Sequence, residues 1–190
     1  MLKIVNLSES VASYEYILQI KGSLNYEYKG TDYMHVFSKQ VGHSGLSKRV
    51  YLVDNNPDNI AVTRRSFAME GFSVHLEVFQ TVDALVCLLN DNYHFDYPDL
   101  VLIDSNLPDN GSFKLIAWIR HHSNLVFTPI VIVGRGHSQN EVVRSYELGA
   151  SSYILRSVDF TDYSIQLREV CSYWLDLNVL PTNNPLSKSA

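Results

Sequence analysis

The sequence predicts an α/β domain: a doubly wound, five-stranded parallel sheet with helices on both faces, plus a short N-terminal extension. Three observations predict it. From residue 49 onward, five short runs are apolar almost without interruption, as strands buried on both faces must be. Segments of helical periodicity, some with clear start and stop signals, separate these runs. The connections are short, which makes right-handed crossovers and a doubly wound sheet the economical topology.

The first strand is RVYLV (49–53). A helix follows, with Asn56 as N-cap and Pro57 at the first helical position, where its missing N–H costs nothing. Its apolar residues Ile60, Val62, Phe67 and Met69 recur seven apart. VHLEVFQ (74–80) is the second strand, and TVDALVCLLN (81–90) carries Leu85, Leu88 and Leu89 on one helical face. LVLI (100–103) is the third strand and GSFKLIAWIRHH (111–122) the helix after it. IVIV (130–133) is the fourth; its helix opens on the capping-box spacing Ser138 to Glu141 and stops at Gly149. YIL (153–155) is the fifth, and the last helix aligns Leu167, Val170, Cys171, Trp174 and Asn178.

A chain of 190 residues suits one domain with extensions. A unit of that size buries roughly 70% of its unfolded surface and needs no staple. A hydrophobic share of 46% with 18% charged residues is that of an ordinary soluble globular protein. The net charge of −5 argues against a nucleic-acid surface, since phosphate binding requires a basic face. No apolar run reaches the ~18 residues of a membrane span, and MLKIVNLSES lacks the apolar core of a signal peptide. The expected location is the cytoplasm, without membrane contact. Cys87 and Cys171 both fall in helical patterns and read as reduced core thiols.

Residues 1–48 hold Tyr14, Tyr16, Tyr26, Tyr28 and Tyr33 and show weaker helical periodicity. SLNYEYKGTDYMHVF (23–37) suggests a hairpin around Lys29-Gly30-Thr31-Asp32; SESVASYEYILQI (8–20) reads as a capped helix or another strand; VGHSGLSK (41–48) reads as a linker. A segment this short rarely folds alone, so docking on the domain or on a second subunit is expected. The expected division is extension and linker at 1–48, sheet domain at 49–180 and disordered tail PTNNPLSKSA at 181–190.

In open α/β sheets ligands sit beyond the carboxyl ends of the strands. The residues there are Asp54, Asn55 and Asn56 after strand one, Asp104 after strand three, Gly134 and Arg135 after strand four, and Arg156 and Ser157 after strand five. With strands one and three adjacent, Asp54 and Asp104 share a cleft and Arg156 reaches in from the far side. A carboxylate at the end of VLID (101–104) is costly unless a cation or a metal compensates it. Two readings stay open for the arginines: Arg135 and Arg156 as an anion site, or Arg156 as a structural ion pair with Asp104. His121 and His122 end a helix, where a cation suits the dipole, and His137 reads as an exposed loop residue.

Taken together, LVDNNPDN (52–59), PDLVLIDSNLPDNG (98–111), TPIVIVGRG (128–136) and ELGASSYILRS (147–157) resemble the receiver domain of two-component response regulators. The resemblance covers about residues 49–180, and YWLDLNVLP (173–181) is similar to small receivers that partner phytochrome-type histidine kinases. It implies a flavodoxin-like strand order 2-1-3-4-5 and a phosphoryl acceptor at Asp104, which becomes an acyl phosphate. It further implies Mg²⁺ held by Asp54, Asp104 and Asn55, phosphoryl contacts from Arg156, Gly134 and Arg135, and a switch involving Tyr153 and Ser157. A turn-capping Asp104 and a plain sheet-edge Tyr153 are the alternative readings.

Four departures from the family pattern bear on function. Asn55 stands where the family has a second acid and direct metal ligand, so Mg²⁺ is expected to bind weakly or not at all. Gly134 replaces the usual hydroxyl residue, and Arg156 the usual lysine. Ser157 replaces a proline; a non-proline cis bond costs about 3 kcal/mol, so a trans peptide is expected. The expected function is a phosphorelay receiver-type protein acting through protein contacts. Its partners would be a histidine kinase or phosphotransfer protein and a downstream protein target, with a homodimer through Tyr173 and Trp174. No turnover of a separate substrate is expected. The alternatives are a phosphorylation-independent pseudo-receiver and, remotely, an FMN-binding flavodoxin-like protein, for which DNNPDNI (54–60) lacks a phosphate-cradling loop.

Overall fold

The computed structural model describes residues 48–70, 73–90, 97–136 and 138–181. The readings of residues 1–47, of His137 and of the tail from 182 lie outside these. Strands β1 (Lys48–Val53), β2 (Val74–Phe79), β3 (Leu100–Asp104), β4 (Ile130–Gly134) and β5 (Ser152–Leu155) form one parallel sheet ordered β2-β1-β3-β4-β5. Helices α1 (Pro57–Met69), α2 (Val82–Asn90), α3 (Gly111–His121), α4 (Gln139–Glu147) and α5 (Phe160–Cys171) make the crossovers and the final turn of chain. This is the expected doubly wound architecture and strand order.

The pleat explains why the strands read as continuous apolar runs. Val50, Leu52, Leu100, Leu102, Val131 and Val133 pack with Ile60 and Phe67 of α1 and Leu167 and Cys171 of α5. The alternating residues Tyr51, Val53, Val101, Ile103, Ile130 and Ile132 pack on the other face with Leu85, Leu89, Leu115, Ile116 and Ile119 of α2 and α3. With both faces covered, neither parity can be polar. The same alternation sends strand-end residues 54, 104 and 156 toward α1 and α5, and 134 and 153 toward the opposite face.

Side-chain environments depart from the sequence reading in four places. On α1 the buried set is Asn59, Ile60, Thr63, Ser66 and Phe67, whereas Met69 is 64% exposed. The polar members are buried because α5 answers them: Thr63 Oγ1 lies 3.0 Å from Tyr163 Oη, Ser164 Oγ donates to Ser66 Oγ at 2.8 Å, and Arg168 donates to Glu70 at 3.2 Å. Cys87 is exposed, so only Cys171 is a core thiol. Ser138 caps α4 without a side-chain hydrogen bond, and the Glu141 carboxylate accepts instead from Tyr153. After α5 the chain winds into a wider π-helical turn, Ser172–Leu177; this rotates Leu175 into the core, leaving Trp174 half-buried and Asn178 beyond the helix.

At the opposite end of the sheet one arginine ties three segments together. Arg120 donates to the carbonyls of Gly149 at 2.7 Å, Thr128 at 2.8 Å and Val126 at 3.2 Å. Gly149 ends α4 with φ of 102°, and a Cβ there would lie 2.8 Å from Arg120 Cγ. Position 149 therefore requires glycine twice over, for its backbone and for the arginine beside it. Gly149→Ala is expected to destabilise the protein by about 1–3 kcal/mol, read as a lowered urea midpoint with unchanged slope.

Candidate functional site

The site grows from sheet register. Val53 pairs with Ile103, so the next residue of each strand, Asp54 and Asp104, emerges side by side on the α1/α5 face. Each carboxylate is first turned back on its own loop: Asp54 Oδ1 accepts from Asn56 N–H at 2.9 Å, and Asp104 Oδ1 from Asn106 N–H at 2.8 Å. Their outer oxygens share one donor. Arg156 Nη2 lies 3.1 Å from Asp54 Oδ2 and 3.2 Å from Asp104 Oδ2, with side chains 8%, 0% and 3% exposed respectively. The Arg156 guanidinium also sits 5.3 Å above the ring of Tyr163, which forms its floor. The two readings left open for Arg156 resolve into an ion pair with both acids.

Asn59 was not singled out from the sequence, yet it joins the cluster. Its amide nitrogen donates at 3.4 Å to both Asp54 Oδ1 and Asp104 Oδ2, and its oxygen accepts from Arg135 Nη2 at 2.7 Å. The exposed Arg135 thus reaches from the end of β4 across to the first turn of α1. A signal was available: Asn59, Thr63, Ser66 and Glu70 recur at helical spacing, a polar stripe on the face that also carries Ile60 and Phe67. Asn55, in contrast, is exposed and takes no part in the cluster's hydrogen bonds.

Gly134 and Tyr153 form a second arrangement on the other face of the sheet. A Cβ on Gly134 would overlap the Tyr153 hydroxyl and lie 2.7 Å from its Cζ. The ring therefore occupies the space that a side chain at 134 would fill. Its hydroxyl lies 2.8 Å from Glu141 Oε1 and 3.1 Å from Gly136 O. Burial first, then the bond to Glu141, push this phenol up to about 12. Ser157 turns away from the pocket: its N–H donates to Gln166 Oε1 at 3.1 Å and its Oγ accepts from Asp159 N–H at 3.1 Å. No peptide among the described residues is cis, including the one before Ser157.

Asp104 has its carboxyl raised above 3.8, chiefly by burial and then by the neighbouring Asp54 charge, with the Asn106 bond and Arg156 opposing. Asp54, Asp104 and Asn55 are the oxygen donors at hand for a hard cation. Yet all four carboxylate oxygens are engaged. Among the described residues no three His, Cys, Asp or Glu side chains converge on a metal position. As arranged, the donor set does not fit a divalent ion.

The model of the response regulator receiver domain matches residues 50–167. Response regulator Rcp1 of Synechocystis sp. is 31% identical over 84 residues, 44% of this chain and 57% of that protein. The chain thus spans little more than half of that relative. The phosphorylated cyanobacterial phytochrome response regulator RcpA superposes with a TM-score of 0.65 at 22% identity, covering 72% of this chain and all of that one. The Mn²⁺-bound form of Rcp1 superposes at 0.62 with 23% identity, covering 70% and 99%.

Two outcomes follow from the geometry. The raised Asp104 carboxyl favours the fold fully below about 3.8, and that contribution is lost as pH rises through its higher folded value. Asp104→Asn should therefore raise Tm by a few degrees at pH 7, with the gain vanishing near pH 4, in thermal melts across that range. Gly134→Thr should expel the Tyr153 ring and break its bond to Glu141. ¹³Cζ-tyrosine NMR should then show that phenol moving from about 12 toward 10.

Proposed function

This chain belongs to the response regulator receiver domain family, and we propose that it is a phosphorelay signalling module whose phosphoryl-accepting position is Asp104. Output passes through protein contacts. The observation that carries this reading is the placing of Asp104 at the carboxyl end of β3, beside Asp54 and against a buried cation. In the reaction, an Asp104 carboxylate oxygen attacks the phosphorus of a phosphohistidine and the imidazole leaves. Arg156 must then release the acid it holds and follow the new charge onto the phosphoryl oxygens, with Arg135 closing from the β4 side. Receiver domains take their phosphoryl group from a histidine kinase or phosphotransfer protein, and the partners of this chain are of those classes. They have no separate substrate to turn over.

The module spans residues 49–180. The contact of a homodimer is the exposed Tyr173 beside Trp174. Receiver domains bind a divalent cation at the acidic site, as in the Mn²⁺-bound form of Rcp1; here such binding is weak or absent. No helix among the described residues is long and apolar enough to cross a membrane.

A second reading, a binding module independent of phosphorylation, is favoured by the Gly134–Tyr153 pair. Without a hydroxyl at 134, no side chain at that position follows the phosphoryl group, and the ring is already seated inward. Incubation with a small acyl phosphate, with and without Mg²⁺, separates the two. The first reading expects intact-mass labelling that Asp104→Asn abolishes. No labelling in a folded protein beside a working control receiver, with partner binding unchanged in Asp104→Ala, would establish the second.

A further inference from the structure

We propose that Arg156 is the pocket's resident cation and the residue that sets its metal preference. Its guanidinium holds the position a divalent ion would need. This rests on the reading of Asp54 and Asp104 as the receiver's acidic pocket and goes beyond it by naming what decides the metal. The obvious explanation for weak metal binding is the missing acid, Asn55. The geometry points elsewhere.

The first argument is position. A Mg²⁺ ion bridging the two acids needs oxygens at about 2.1 Å in a strict octahedron. The oxygens free of backbone bonds, Asp54 Oδ2 and Asp104 Oδ2, are the two that Arg156 Nη2 already spans at 3.1 Å and 3.2 Å. An ion on both would compete with that nitrogen for the same two oxygens. The inner oxygens cannot substitute by rotation without giving up Asn56 and Asn106 N–H.

The second argument is charge. Two carboxylates face one guanidinium in contact and a second, Arg135, one amide away through Asn59. The group is neutral as it stands, so an added divalent ion would leave it strongly cationic. A third acid at 55 would leave the obstruction in place, because the guanidinium sits on Asp54 and Asp104.

The third argument is anchoring. Among the described residues the Nε and Nη1 atoms of Arg156 are buried without hydrogen-bond partners, and the two acids and the Tyr163 ring hold the guanidinium. A lysine would differ: its ammonium is a compact charge on a flexible stem, without a guanidinium plane over the Tyr163 ring, and can withdraw.

The test uses the full, unphosphorylated chain with Mn²⁺ as probe, followed by water-proton relaxation and by broadening of the Asn56 and Asn106 amides. Wild type should show no saturable broadening there. Arg156→Lys should gain at least about tenfold in affinity, and Asn55→Asp, with Arg156 retained, should gain less. Wild type binding as tightly as Arg156→Lys, or a larger gain from Asn55→Asp, would overturn the proposal. Should Arg156→Lys fail to fold, Asn55→Asp decides alone: continued weak binding supports the resident cation, and tight binding overturns it. Labelling of Asp104 is not read here, so failure of the phosphoryl-acceptor reading and failure of this one are separable.

Discussion

Two carboxylates buried within reach of one another are the constraint around which this domain is arranged. Ionised side by side in a low dielectric, Asp54 and Asp104 repel and each forgoes hydration. The protein meets that cost with backbone amides on the inner oxygens and a single guanidinium nitrogen on the outer ones. Burial and the neighbouring acid still outweigh those partners at Asp104, whose carboxyl stays above the ordinary range. Stripping one partner from a buried charge pair typically costs about 3–5 kcal/mol. The cluster is thus a stored tension that phosphoryl chemistry or a partner could redirect.

Arg156 in turn depends on α5 and, through it, on α1. Tyr163 floors the guanidinium and shares a hydrogen bond with the Thr63 hydroxyl, and below it follow the Ser66–Ser164 and Glu70–Arg168 contacts. A polar seam of this kind adds little net stability compared with an apolar one, but each bond specifies one register of α1 against α5. The apolar residues Ile60, Phe67, Leu167 and Cys171 supply the adhesion beside it. Pocket geometry and helix register are therefore one problem. A shift along the seam would move the floor under the arginine.

Across the sheet, loss of a side chain at 134 has been filled by the Tyr153 ring rather than left as a void. Protein interiors rarely leave space for a hydroxyl-sized group unfilled. The Glu141 carboxylate holds that phenol, and α4 starts without a side-chain cap. Two features that look unrelated in the chain, a missing hydroxyl and an unused capping box, thus meet at the Tyr153 hydroxyl.

Much of this was legible in the chain itself. Doubly buried parallel strands cannot alternate, so five apolar runs declare the sheet. The Asn56-Pro57 start of α1 is equally local, since N-cap chemistry involves only neighbouring residues. Equal spacing from the strands also placed Asp54, Asp104 and Arg156 at one end of the sheet. Hydrophobic periodicity could not show that Asn59, Thr63 and Ser66 are buried and Met69 exposed. Burial of a polar residue depends on whether a distant segment offers a partner, and those partners lie on α5 or at the ends of β3 and β4. The exposure of Cys87, the reassignment of Glu141 and the bridging of both acids by one nitrogen belong to the same class. Each turns on a contact between residues far apart in sequence, which only the folded arrangement of helices on the sheet decides.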